Sequence, residues 1–204
     1  PRPLSLMTIL FLGDIVGRSG RKLIQDKLPA LIKKNKLDLV IANGENLAGG
    51  NGINRSTMQE MLDAGIGVLT GGNHTFENKE GASLFLDSAL PVLRPANLPD
   101  VVPGQGYRIL TSKNGEKLLL INLLGRVFMP QHVDCPFRTL DRILAEISRD
   151  TYNACFVDFH AEATSEKQAL RWDFDGRVSA VIGSHTHVQT ADADISPAGT
   201  AFMA

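Results

Sequence analysis

Short apolar, β-favouring runs alternate with amphipathic helical stretches along most of this chain, and this alternation constrains the fold more than any other feature. Thr8 to Leu12 reads as a strand that stops at Gly13-Asp14, and Arg18 to Asn35 as the helix that follows. Pro29 lacks a backbone donor and its ring crowds the preceding turn, so a kink or a second helix start is expected there. The pattern repeats as strand Leu37 to Ala42, helix Arg55 to Ala64, strand Val68 to Leu69 and helix Lys79 to Leu86. Pro91 to Pro103, rich in proline, reads as a long irregular surface crossing. Tyr107 to Thr111 and Lys117 to Asn122 then flank Asn114-Gly115, a pair that accepts positive φ in tight hairpins, which predicts an antiparallel piece. Helix Arg138 to Ser148, strand Ala154 to Asp158, a helix near Thr164 to Leu170 and strand Val178 to Ile182 resume the alternation. The expected class is α/β, with mixed strand directions, two sheets and helices packed on them.

The remaining bounds are broad. A chain of 204 residues suits one domain, expected over residues 7–204, with Pro1 to Leu6 read as an N-terminal extension because Met7 opens the first strand. No apolar run approaches the ~20 residues of a membrane span, and the start lacks the pattern of a secretory signal. A formal charge of −1 provides no basic field for long nucleic acid. Cys135 and Cys155 form no paired motif, so a disulfide framework or a cysteine zinc site is not expected, and a reducing cytoplasm fits the chain best.

The chemistry-bearing residues cluster. Four of the five histidines, with conspicuous carboxylates and amides, sit in glycine-flanked loops directly after apolar strands. In order these are Gly13-Asp14, Gly44-Glu45-Asn46, Gly72-Asn73-His74, Phe159-His160 and Gly183-Ser184-His185-Thr186-His187. Loops beyond the carboxyl ends of strands are where rigid elements converge in α/β proteins, so donors from several strands can meet at one point. His185 and His187, two apart on an extended segment, point to one side and can serve one metal or two neighbouring ones. Oxygen and nitrogen donors without thiolate suit manganese, iron or zinc. Two such ions close together bind both the attacking and the leaving oxygen of a displacement at phosphorus, with Glu45 able to bridge them.

Each residue also has an ordinary alternative. Asp14 can cap the helix after it, and Asn46 and Asn73 can be turn residues. His132, beside Pro130, reads as an exposed loop residue with no role. Asp158 and Glu162, flanking His160, read as solvated side chains, the alternative being that they orient an imidazole. Gly13, Gly17 and Gly20 match neither the dinucleotide fingerprint nor the phosphate-loop spacing. Gly49-Gly50-Asn51-Gly52 is either an ordinary turn or a loop whose backbone donors approach a phosphate.

The ordered set resembles the calcineurin-like metallophosphoesterases. Phe11-Leu-Gly-Asp-Ile-Val-Gly-Arg, Ala42-Asn-Gly-Glu-Asn and Thr70-Gly-Gly-Asn-His-Thr-Phe resemble their bacterial YmdB-type branch, from Met7 to the end of the chain. The wider family carries a histidine where Val16 stands and an aspartate where Glu45 stands, so the first metal position is altered. The resemblance implies Asp14 and His187 at one metal, Asn73, His160 and His185 at the other, Glu45 shared between them and Asn46 close by. It leaves His74 to protonate the leaving oxygen or stabilise developing charge. It further implies a sandwich of two mixed sheets flanked by helices, and a branch that continues beyond Ala204, so that the domain here lacks its C-terminal end.

The implied cofactors are two divalent or trivalent ions, iron or manganese, with zinc also compatible. The implied reaction is hydrolysis of a small phosphodiester, 2′,3′- or 3′,5′-cyclic nucleotides among them, by water activated between the ions. The metal core alone also suits a phosphomonoesterase, a nuclease or a metal-bound regulatory protein with weak catalysis. Sequence leaves a homo-oligomer open.

Overall fold

The structure is a computed structural model that describes residues 7–204, so the proposed extension at residues 1–6 lies outside the described residues. Two sheets lie face to face with helices on both outer surfaces. The first has the order β1 (Ile9–Leu12), β2 (Leu39–Asn43), β3 (Val68–Thr70), β4 (Val92–Leu93), and every pairing in it is parallel. The second is mixed: β5 (Tyr107–Thr111), β6 (Lys117–Leu124), β7 (Ala154–His160), β8 (Ala180–Ser184), β10 (Ala201–Met203), β9 (Asp194–Ile195). Within it β5 and β9 run antiparallel to their neighbours, β5 through the expected hairpin with Gly115 at φ 83. The expected irregular crossing therefore contains one short strand, β4, drawn in by pairing with β3.

The residues of β6 show why the sheets stack. Side chains alternate across a strand: Leu118 and Leu120 enter the layer between the sheets with Ile41, Val68, Leu93 and Phe156. Leu119, Ile121 and Leu123 face outward, into a cluster with Leu140 and Ile143 of α4 (Pro136–Glu146) and Leu170 of α5 (Thr164–Asp173). On the first sheet's outer face, Ile24, Leu28 and Ile32 of α1 (Gly17–Asn35) form a stripe at four-residue spacing that packs with Val40 and Ala42. Full burial of a side chain such as Leu28 contributes about 1.5–3 kcal/mol.

Local signals set the helix ends. α1 runs unbroken through Pro29, so the expected second start does not occur; packing of the apolar stripe holds the helix across one missing hydrogen bond. It ends at Lys36 in the left-handed conformation, with Leu37 N–H donating to Ile32 O at 3.1 Å. α2 (Arg55–Asp63) starts with a reciprocal cap between Asn54 and Thr57. α3 (Gly81–Leu86) starts two residues later than expected. Among the described residues, no helix is long and apolar enough to cross a membrane.

Candidate metal centre

The inner-face alternation that buries Leu118 and Leu120 continues to the carboxyl ends of the strands, where the residues become polar. Asn122 follows Leu120 on β6, Asp158 and His160 follow Phe156 on β7, Asn43 follows Ile41 on β2, Thr70 follows Val68 on β3 and Ser184 follows Ile182 on β8. Register brings them side by side: Asn122 opposite Asp158, Asn43 opposite Thr70, His160 opposite Ser184. All six are buried. His160 is thus the last residue of a strand rather than a loop residue, with its ring held between the sheets.

The donors converge on His160 Nε2. Asn73 Oδ1 lies 2.9 Å from it, Glu45 Oε1 3.2 Å and His185 Nδ1 3.2 Å. What lies behind the two rings determines which of their nitrogens carry protons. Ser184 Oγ lies 2.6 Å from Asp158 Oδ1 and 3.0 Å from His160 Nδ1. The hydroxyl has one proton and donates it to the carboxylate, so it accepts from Nδ1–H and leaves a lone pair on Nε2. His185 Nε2 lies 3.0 Å from Glu162 Oε2, which accepts its proton and leaves a lone pair on Nδ1. Two imidazole lone pairs, a carboxylate oxygen and an amide oxygen therefore face one another. Without a cation or a proton between them the arrangement is repulsive. Separations of 2.9–3.2 Å also match the edges expected when such donors share an ion at about 2.0–2.2 Å. The residues present fit a metal.

A second group adjoins the first. His187 Nε2 lies 2.8 Å from Asp14 Oδ2 and 3.4 Å from the Asn46 amide nitrogen, which itself lies 3.1 Å from Glu45 Oε1. Rotating the Asn46 amide by half a turn puts its oxygen at the same place. Glu45 thus links both groups. Asp14 does not cap α1, whose N-cap is Val16 without a side-chain bond. Nor do His185 and His187 lie on an extended segment: both have positive φ, 98° and 54°, and this left-handed turn sends one ring to His160 and the other to Asp14.

His74 stands apart from the donors. Its backbone N–H donates to Glu45 Oε2 at 2.8 Å, and its ring Nδ1 lies 2.7 Å from Glu77 Oε1 without hydrogen-bond alignment. Gly72 lies against the centre: a Cβ there would fall 2.6 Å from His160 Cδ2 and closer still to Glu45 Oε2 and His160 Nε2. The N–H groups of Gly49 and Gly50 bond to Leu47 O and Asn46 O, so this stretch is a turn rather than a phosphate cradle. Arg21 fastens it, donating to Leu47 O and Glu60 Oε2, both at 2.6 Å. His132 is exposed, as expected.

Asp158 and Glu162 correct the sequence reading, since neither is a free solvated side chain. Asp158 Oδ2 accepts from Thr70 Oγ1 at 2.5 Å and Asn43 Nδ2 at 3.2 Å, tying the two sheets together beneath the site. Burial pushes its carboxyl up to about 6, against the pull of His160, Ser184 and Thr70. Burial pushes Glu45 up too, but the His160 hydrogen bond and charge, with the His74 amide, hold it below the usual carboxylate range. Burial lowers His160, yet Glu45, Asp14 and Asp158 leave it raised overall. His185 is lowered, by burial and by His160. Asn43, Thr70, Asn122, Ser184 and Glu77 were not singled out from sequence. The period-two alternation ending in Asn43, Asn122 and Asp158 was the available signal.

Comparison with known proteins agrees with this architecture. The family model described as YmdB-like protein matches residues 10–204. The 2′,3′-cyclic-nucleotide 2′-phosphodiesterase of Bacillus subtilis (strain 168) is 46% identical over 197 residues, covering 97% of this chain and 73% of that protein. A crystal structure of a hypothetical protein from Thermus thermophilus superposes with a TM-score of 0.88 at 44% identity, over 96% of this chain and 74% of that one. A novel phosphatase from Mycoplasma pneumoniae superposes with a TM-score of 0.88 at 35% identity, over 97% and 70%. With its strand-end motifs and this match, the chain belongs to the YmdB-like family, a branch of the calcineurin-like metallophosphoesterases.

Proposed function

We propose that this enzyme hydrolyses small phosphodiesters, with 2′,3′-cyclic nucleotides as the leading substrates, using two cations held by Asp14, Glu45, Asn46, Asn73, His160, His185 and His187. The observation that carries the reading is the set of four acceptor atoms aimed at one point around His160 Nε2. It is supported by the similarity to a 2′,3′-cyclic-nucleotide 2′-phosphodiesterase. The donor chemistry suits iron or manganese, and zinc as well. When bound, the cations supply positive charge for the phosphoryl oxygens and lower the pKa of the attacking water.

The chain's own residues do the rest. Asp158 and Ser184 fix the His160 tautomer, and Glu162 fixes that of His185. Water gives up a proton to solvent as its oxygen attacks phosphorus in line, the bond from phosphorus to the ribose oxygen breaks, and His74 delivers a proton to that oxygen. Glu77, beside Nδ1, lies on the side of the ring away from the Nε2 that would carry this proton. A formal charge of −1 agrees with a small substrate rather than long nucleic acid. The two free cysteines agree with a cytoplasmic setting. The core shared between the sheets supports reading residues 7–204 as one domain.

The test is hydrolysis of 2′,3′-cyclic AMP by manganese-loaded protein against the same sample stripped by chelator. Metal-dependent turnover, lost in Asp14→Ala and His160→Ala together with bound metal, is the expected result. His74→Ala should retain metal but lose about 10²- to 10⁴-fold in kcat. No turnover by protein that holds two ions refutes the reading.

A further inference from the structure

Among the described residues, four that are not glycine have positive φ: Lys36, Phe128, His185 and His187. Lys36 ends α1, a usual place for that conformation, and the two histidines belong to the candidate metal centre. Phe128 remains. It sits at φ 62 with its side chain turned to solvent, 85% exposed, a costly combination for a bulky aromatic residue.

The surrounding segment is built to hold it there. Residues 125–131 leave the carboxyl end of β6, and Gly125 N–H donates to the carbonyl of His160 at 2.8 Å. The buried Glu166 carboxylate accepts from Arg126 N–H at 2.9 Å and from Val127 N–H at 3.1 Å. Gly125 lets that carboxylate approach, because a Cβ there would lie 2.6 Å from Glu166 Oε2 and 2.5 Å from Ala161 Cβ. Met129 turns inward and is buried, and Gln131 Nε2 donates to the carbonyl of Asn73 at 3.3 Å. Phe128 is three residues from both Gly125 and Gln131, so its Cα lies within about 11 Å of the Cα of each. Gly125 and Gln131 bond in turn to the backbone carbonyls of His160 and Asn73, two residues of the metal centre. An exposed aromatic ring is thus carried on a strap tied at both ends to residues of the site, in a backbone conformation that packing does not explain.

We infer that Phe128 is a specificity-determining residue whose ring stacks on the base of a nucleotide substrate while the phosphodiester lies at the metal centre. The inference rests on the phosphodiesterase reading and deepens it, by naming the part of the substrate recognised away from phosphorus. Every base offers a π-face, so the contact selects nucleotides over other phosphodiesters without choosing strongly among bases.

The experiment compares kcat/KM for 2′,3′-cyclic AMP with that for ribose 2′,3′-cyclic phosphate, which lacks the base. Phe128→Ala should lower the ratio of the two by about 5- to 150-fold, mainly through KM for the nucleotide, and Phe128→Trp should restore it. An unchanged ratio in Phe128→Ala overturns the inference, as does an equal loss on both esters, which would mark Phe128 as a support of the strap or of a subunit contact. If the parent enzyme hydrolyses neither ester, the phosphodiesterase reading fails, and stacking is then read separately. Phe128→Trp in a Trp172→Phe background has a single tryptophan, and adenosine monophosphate should quench its fluorescence in chelator-treated protein. Absence of saturable quenching there overturns the inference.

Discussion

Replacing Gly72 by alanine puts one methyl group into the most crowded point of the candidate metal centre. The new Cβ would fall 2.6 Å from His160 Cδ2, with Glu45 Oε2 and His160 Nε2 nearer still. Ordinary carbon contacts begin near 3.5 Å, so the ring or the loop must retreat by roughly 0.9 Å. Neither moves easily. His160 is buried at a strand end with Nδ1 bonded to Ser184, and Glu45 Oε2 holds the His74 amide. Overpacking of this kind costs about 1–3 kcal/mol, a drop of about 2–12 °C in thermal midpoint for a domain of this size. Displacing a reacting group by 1 Å costs on the order of 10²-fold in rate. The effect on kcat should therefore far exceed the effect on folding. Gly13→Ala is the matched control, because a Cβ there meets nothing within 4 Å. The assay is metal content by elemental analysis, turnover of 2′,3′-cyclic AMP and thermal unfolding for both variants. Gly72→Ala protein with parental metal content and turnover would show that the close approach has no consequence, and would refute the reasoning.

Asp158→Asn should weaken metal binding by about 10- to 100-fold in a folded protein. The amide facing Ser184 would donate to it, turn the Ser184 proton toward His160 Nδ1 and leave the proton on Nε2; unchanged affinity by titration calorimetry would contradict the relay. Metal-stripped protein should lose thermal stability as pH rises above 6.5. There the lowered His185 is neutral in both states and Asp158, raised to about 6, has already titrated, whereas His160, raised above 6.5, gives up the stability of its protonated form as pH climbs through the raised value. Metal-loaded protein should show the opposite trend, because protons compete with cations for the same imidazoles; parallel trends by scanning calorimetry would count against a metal at His160. Burial pushes the Cys155 thiol up to about 12, whereas Cys135 is partly exposed. At pH 8 native protein should therefore react with a thiol reagent once, at Cys135, and labelling of Cys155 before unfolding, read by mass spectrometry, would contradict the packing around β7.

Much of this molecule is legible from short stretches of sequence. Apolar runs ending in glycine-flanked polar residues report strand and loop locally, because each run carries its own periodicity and its own breaker. Asp14, Glu45, Asn73, His160, His185 and His187 could all be picked out that way, with Asn46 and His74 beside them. Proline was less informative, since whether Pro29 breaks α1 depends on packing elsewhere. What the tertiary structure alone decided is which of these side chains touch and what stands behind them. Asp158 bonds to Asn43, 115 residues away, and to Thr70, 88 residues away, contacts that exist only once two sheets stack in one register. The left-handed turn that parts His185 from His187 is set the same way, by what each ring meets on the other strands. Local chemistry follows from residue type and spacing, whereas the tautomer of His160 depends on a hydroxyl and a carboxylate that only the folded chain brings beside it.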